Sequence, residues 1–158
     1  MKKKRRILVG GVFDIIHVGH IRFLWAAKKL ADPSELIVVI ARDETVRKFK
    51  GRDPVFSETE RLEIVRNLKP VDMAILGYKI DDEYAFYKVI LDYRPDIIAL
   101  GYDQIFNEEK LLKWAQNNGI ALKVIRLPKF SFEGLNSSSA VRKRIFELLG
   151  KKKREITM

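Results

Sequence analysis

The sequence contains no cysteine, which excludes disulfides, thiolate metal sites and a thiol nucleophile. Histidine occurs only twice and proline five times in 158 residues. No apolar run approaches the roughly 20 residues of a membrane span. The basic start, Met1–Arg6, passes straight into an ordinary strand rather than into the apolar segment and small-residue cleavage site of a secretory leader. A cytoplasmic protein without membrane attachment is therefore expected. No linker, internal repeat or low-complexity stretch interrupts residues 7–150. One domain is expected there, flanked by basic tails at 1–6 and 151–158.

Hydrophobic residues make up 47% of the chain, enough for a packed core. The formal charge of +10 invites a nucleic-acid reading, but its placement argues against one. Five positive charges lie in residues 2–6 and four in 151–154, the latter offset by Glu155, which leaves residues 7–150 with a net charge of only +2. Basic tails of this kind are usually solvated. The body also lacks a basic face interleaved with aromatics.

Apolar runs and helical spacings alternate along the body. Strands are expected at Ile7–Val12, Glu35–Ala41, Val71–Leu76, Asp96–Leu100 and Ile120–Leu127. Helices are expected at Val18–Ala31, stopped by Pro33, and at Asp43–Phe49. A third opens at Ser57 with the capping-box spacing Ser-x-x-Glu and runs to Lys69. Others are expected at Asp82–Tyr93 and at Asn107–Asn118, with Gly119 just past its end. The last is Ser137–Leu149, closed by Gly150. Strands that are apolar throughout, alternating five times with helices, predict an α/β fold: a doubly wound, parallel five-stranded sheet covered on both faces. Ligands bind such sheets beyond the carboxyl ends of the strands.

At the end of the first strand stand Gly10-Gly11-Val12-Phe13-Asp14, and then the chain's two histidines in His17-Val18-Gly19-His20. A spacing of three places both rings on one side of a helix start. Unpaired N–H groups and the positive end of the helix dipole meet an anion there. The arrangement reads as a phosphate site. It is not a P-loop, which needs Gly-x-x-x-x-Gly-Lys-Ser/Thr, and it is not the Gly-x-Gly-x-x-Gly dinucleotide fingerprint. A helix start with two incidental histidines, or a His-x-x-His metal pair completed by Asp14, are the competing readings.

Gly-Gly-x-Phe-Asp followed by His-x-Gly-His resembles the His-x-Gly-His nucleotidyltransferase superfamily, which has a Rossmann-like fold. Within it the chain is most similar to the archaeal FAD synthases (FMN adenylyltransferases). Ala41–Val46, Lys69–Asp72 through Ile75–Gly77, and Arg94–Gln104 share that similarity, which covers roughly residues 7–149. The resemblance implies transfer of AMP from ATP to FMN, giving FAD and pyrophosphate, by in-line attack of the FMN phosphate on the α-phosphorus. The alternative is transfer of CMP from CTP to a phosphorylated alcohol such as glycerol 3-phosphate. Many relatives carry Thr where this chain has Val12, and archaeal members often have cysteines near the last helix where this chain has none.

The nucleophile is already an anion, so the protein must position two anions and stabilise the charge that develops. His17 and His20 are expected to donate N–H bonds to the triphosphate, as neutral rings at a helix N-terminus. Gly19 would let the triphosphate approach the backbone closely, with Gly11 doing the same at the strand end. Val12 and Phe13 would add main-chain contacts. The resemblance places a lysine over the phosphates, here Lys48 as a catalytic group or Lys50, and sets Arg61 near the β,γ-phosphates. Asp103, past a strand end, suits ribose hydroxyls or a base amine. Ser137, Ser138 and Ser139 open the last helix, where hydroxyls and N–H groups would hold the triphosphate. Lys129 and Phe130 would flank the nucleotide. Tyr78, Tyr84, Phe86 and Tyr87 are candidates for an aromatic surface under an isoalloxazine, although alternation with Leu and Val makes most of them core candidates. Mg²⁺ or another divalent cation is expected, held mainly by triphosphate oxygens and water with few protein ligands, so no residue is assigned to it. ATP and FMN are the expected small-molecule partners, and a homodimer is an assembly the sequence allows.

Overall fold

Residues 2–79, 85–130 and 133–156 are described by the computed structural model, the last five of them by backbone alone. In chain order the elements are β1 (Arg5–Gly11), α1 (Val18–Lys28), β2 (Ser34–Ile40), α2 (Asp43–Lys50), α3 (Glu58–Arg66) and β3 (Met73–Leu76), followed by α4 (Ala85–Tyr93), β4 (Ile97–Leu100), α5 (Glu108–Asn117), β5 (Lys123–Arg126) and α6 (Ser138–Ile156). The five strands form one sheet in the order β3-β2-β1-β4-β5. All four pairings are parallel, with Gly11 opposite Ile40 and Ile7 opposite Ile97. This is the doubly wound α/β sheet that the alternation predicts. The chain winds outward from β1 to β3 and returns to place β4 beside β1. A crevice opens where the winding reverses, between the carboxyl ends of β1 and β4.

Alternate strand residues serve opposite faces. Ile7, Val9, Leu36, Val38, Ile40, Ile97 and Ala99 pack with Leu24 and Ala27 of α1 and Val65 of α3. Leu8, Ile37, Val39, Ile98 and Leu100 pack on the other side with Val89 and Ile90 of α4 and Leu111 and Ala115 of α5. Both layers of helices are thus held by the same strands.

Local signals set the element ends. Ser57 caps α3, accepting from the Glu60 N–H while the Glu60 carboxylate accepts from the Ser57 N–H at 2.8 Å. Asn107 caps α5 through the Lys110 N–H at 2.9 Å, and Gly119 follows that helix at φ 66°. Helix α1 ends at Lys28 rather than continuing to Ala31. Ser34 Oγ donates to the Lys28 carbonyl at 2.6 Å, so a side chain from β2 closes the helix before Pro33 can. Strand β1 takes in Arg5 and Arg6, whose backbone the sequence reading places in a tail. The Arg6 N–H donates to Asp96 and its guanidinium reaches Glu35 and the Tyr93 carbonyl.

The largest difference lies in α6, which runs past Gly150 to Ile156 instead of ending there. A Cβ added at Gly150 would meet no atom beyond its own helix within 4 Å, and Leu148, Leu149 and Lys151–Lys153 are strong helix formers. They outweigh the roughly 1 kcal/mol that glycine costs relative to alanine in a helix. From Lys143 to Lys151 every side chain is exposed. The substitution Gly150→Ala should therefore stabilise this exposed helix by about 1 kcal/mol. Amide exchange should slow across residues 146–154, whereas a helix that stopped at Leu149 would show no change beyond it.

Candidate active site

The turn after β1 is bent sharply. Phe13 has φ 51°, a left-handed conformation that L-residues other than Asn and Asp seldom adopt. A Cβ on Gly11 would sit 2.8 Å from the Phe13 ring, so glycine is what lets that ring fold back against the strand end. His17 is the N-cap of α1, with extended backbone angles (φ −139°, ψ 174°), and His20 is its third residue. Their rings stack at 3.8 Å, inclined by 28°, and the Phe13 ring lies 5.3 Å from that of His20.

The His20 Nδ1 accepts from the His17 backbone N–H at 3.3 Å. In the neutral imidazole the remaining proton is then on Nε2, which makes that atom a donor. Burial holds His20 neutral, pushing its pKa down to about 4, and repulsion from His17 adds to this. Burial also lowers the pKa of His17. Desolvation thus favours the uncharged form of both rings.

The rings open onto a crevice of about 530 Å³. Gly10–Asp14 and His17–Phe23 form one side, Gly101–Gln104 the second, Pro128–Phe130 with Asn136–Ser139 the third, and Lys50 and Arg52 stand at its rim. Gly19 meets the third segment closely: a Cβ there would be 2.7 Å from the Asn136 carbonyl and 2.9 Å from the His17 ring. Ser137 caps α6, its Oγ accepting from the Ala140 N–H at 3.1 Å, and Ser138 and Ser139 face the crevice. Lys129 Nζ lies 5.5 Å over the exposed Tyr102 ring. Asp103 lines the crevice beside them. Its loop is fixed by Gln104, which accepts from the Gly101 N–H (2.7 Å) and donates to the Gly10 carbonyl (2.9 Å). Arg126 holds the same loop from outside, donating to the carbonyls of Gly101 and Gln104 at 2.8 Å each.

Asp14 is buried and looks away from solvent. Its carboxylate accepts from the N–H groups of Val55 and Phe56 at 2.9 Å and from Arg142 of α6 at 2.9 Å, with Arg52 3.9 Å away. Burial alone would raise its pKa; the two backbone donors and Arg142 more than offset this, and the pKa falls below the ordinary value. With those partners Asp14 does not complete a metal site with the histidines. Among the described residues no three His, Asp or Glu side chains gather as a metal site would require.

Most of the residues singled out from sequence therefore converge: Gly11, Val12, Phe13, His17, Gly19, His20, Lys50, Asp103, Lys129, Phe130 and Ser137–Ser139 all line the crevice. Two do not. Lys48 is exposed on α2, its Nζ 5.7 Å from the Phe49 ring. Gly51, at φ 65°, turns the chain after Lys50, so Lys50 and Arg52 reach the crevice while Lys48 stays on the outer helix face. Arg61 is fully buried beneath the turn. Its guanidinium donates to the Val12 carbonyl (2.6 Å), the Phe56 carbonyl (3.1 Å) and Asp43 (2.6 Å), which leaves it no path to a phosphate.

Three of the four aromatics weighed for an isoalloxazine surface serve the core, the reading that their alternation with Leu and Val favours. Tyr87 is buried and stacks on Trp114 at 4.5 Å, Phe86 meets Phe106 edge-on, and Tyr78 pairs with Asp92. All pack on the α4–α5 face of the sheet, and Tyr84 lies outside the described residues. The rings that do face the crevice are Phe13, Phe23, Tyr102 and Phe130. Phe23 carried a signal in the sequence: it stands three residues after His20, on the same side of α1. Arg142 carried none, because its link to Asp14 spans 128 positions.

The Cytidylyltransferase-like family profile matches residues 8–144. The chain belongs to the cytidylyltransferase-like family. It is 48% identical over 145 residues to a protein of Korarchaeum cryptofilum named FAD synthase, covering 91% of this chain and 93% of that one. It is likewise 48% identical to a FAD synthase of Thermoplasma acidophilum, covering 93% and 98%. Among solved structures, a protein of Thermoplasma volcanium described as a lipopolysaccharide core biosynthesis protein superposes with a TM-score of 0.73 at 44% identity, covering 82% of this chain and all of the other. Thermotoga maritima TmcAL, solved with alpha-thio ATP, superposes with a TM-score of 0.64 at 17% identity, over 95% of this chain and 52% of its own. That second likeness concerns the fold alone.

The low pKa of His20 makes a testable link to stability. Unfolding returns the ring from about 4 to its ordinary 6.5, so the unfolded chain takes up the proton first as pH falls. The contribution is complete above pH 6.5 and is lost progressively as pH drops toward 4. Urea midpoints at pH 7 and pH 5 should fall further for the unaltered chain than for His20→Gln. Equal falls would show that the ring is not protected.

Proposed function

We propose that this member of the cytidylyltransferase-like family is an FMN adenylyltransferase, an enzyme that joins ATP and FMN to give FAD and pyrophosphate. The observation that carries this reading is a neutral, stacked histidine pair at a helix N-terminus, facing a crevice with serines at a second helix start, in a chain whose archaeal relatives of 48% identity are named FAD synthases.

An oxygen of the FMN phosphate attacks the α-phosphorus of ATP. The new bond forms in line with the bond from the α-phosphorus to the bridging oxygen, which breaks as pyrophosphate leaves with the electron pair. The nucleophile is an anion, so no general base is needed. What the site must supply is position and charge stabilisation. The Nε2–H of His20, together with His17, would donate to the oxygens of the transferring group. The N–H groups of Ser138 and Ser139 at the start of α6 would hold the leaving phosphates, helped by Lys50 and Arg52 across the crevice. Val12 would contribute only its N–H, because its carbonyl is committed to Arg61. Asp103 would receive ribose hydroxyls or a base amine. Tyr102 and Phe130 offer ring faces for the adenine or the isoalloxazine. Mg²⁺ enters as Mg·ATP, carried on triphosphate oxygens and water, as suits an ion that sheds its waters reluctantly.

Incubation with FMN, Mg²⁺ and one triphosphate at a time should give FAD from ATP and none from CTP. No FAD from ATP would sink the reading, and turnover of CTP with glycerol 3-phosphate would replace it. His17→Ala and His20→Ala should each lower kcat on the order of 10²-fold or more, as loss of an oxyanion donor does.

A further inference from the structure

Arg61 is the one cation among the described residues with no exposed surface. A buried charge is tolerated only when it is fully partnered, and Arg61 is partnered in an informative way. Its three acceptors come from three segments that meet beneath the crevice. The Val12 carbonyl belongs to the peptide that leads into Phe13, the residue held at φ 51°, whose ring lies against His20. Asp43 is the first residue of α2, the helix that ends at Lys50 on the crevice rim. Phe56 follows Val55, and the N–H groups of both hold Asp14. A guanidinium presents its donors in a rigid plane, so the three acceptors are fixed relative to one another.

We propose that Arg61 is a positioning residue for nucleotidyl transfer. It touches no substrate, and it holds the Val12 peptide so that the histidine pair stays in register with Lys50 and Arg52. The proposal goes beyond the reaction itself but rests on reading the crevice as the transfer site. A lysine at position 61 keeps the charge but cannot span three acceptors in one plane.

The test is a double-mutant cycle of Arg61→Lys with His20→Ala, read as kcat and KM for Mg·ATP at temperatures well below each variant's Tm. Arg61→Lys should lower kcat about tenfold or more, as small misplacements at a reacting centre do, with KM for ATP unchanged within about threefold. In the His20→Ala background it should cost little more, because its effect passes through the ring already removed. Losses that multiply would overturn the proposal. So would a rise in KM that accounts for the whole effect, since that would mean direct contact with the triphosphate. Unchanged kcat per folded molecule would overturn it as well, leaving Arg61 a purely structural residue.

A second readout needs no acceptor. In the proton NMR of the ring Cε1–H, Arg61→Lys should shift the His20 resonance and move its titration midpoint up from about 4 toward the ordinary value; an unmoved resonance would count against the proposal. A parent enzyme that makes no FAD would therefore sink the FMN reading and still leave the role of Arg61 to be decided. Should Arg61→Lys fail to fold, Asp43→Asn loosens the same guanidinium from one side and serves in both measurements.

Discussion

The crevice depends on the carboxylate of Asp14. Three segments far apart in the chain meet there: the turn after β1, the loop of Val55 and Phe56, and the start of α6 through Arg142. Without that charge, two buried amides and an arginine would lose their acceptor together. Stripping one partner from such a buried set typically costs about 3–5 kcal/mol, a large share of the stability of an ordinary domain. The carboxylate is kept ionised by its donors despite burial. Arg61 performs the reciprocal task, as a buried cation held by two carbonyls and the Asp43 carboxylate. The two opposite charges are separate anchors for one strained turn, and the histidines inherit their position from it.

Desolvation then supplies chemistry as well as order. A histidine at ordinary exposure is half protonated near pH 6.5 and would carry charge into a site that already gathers Lys50, Arg52 and Lys129. Stacking the two rings and burying His20 removes that variability. The tautomer of His20 presented to the crevice is set by the His17 backbone N–H. The arrangement is a preorganised dipole rather than a titrating base, as a reaction with an anionic nucleophile requires.

The fold was legible in the sequence because its signals are local or periodic. The apolar strands, the Ser57–Glu60 box and Gly119 each announce themselves within a few residues, and the alternation of strand and helix leaves few topologies open. The crevice lining was legible where candidate residues are neighbours in sequence, as at His17–His20 and Ser137–Ser139. It was illegible where a role depends on which way a side chain points after the chain has turned. Lys48 and Lys50 are two positions apart on one helix, yet only Lys50 faces the crevice. Arg61 is a cation close to the glycine turn in space, but it lies beneath that turn rather than in the crevice. Gly150 has the composition of a helix end without the tertiary contact or left-handed turn that would make it one. Tyr87 and Tyr102 are the same residue type, and burial against Trp114 alone assigns one to the core while the other stays at the rim.

The close approach of Gly19 to the Asn136 carbonyl has a consequence for how the protein comes into being. The histidines and the segment that walls them in belong to opposite ends of the domain. Residues 5–126 hold every strand of the sheet and both rings, but neither the serines of α6 nor the arginine that completes Asp14. The wall opposite Gly19 therefore closes only when α6 docks on the rest of the domain. A closed crevice is a report that both ends of the domain have folded together.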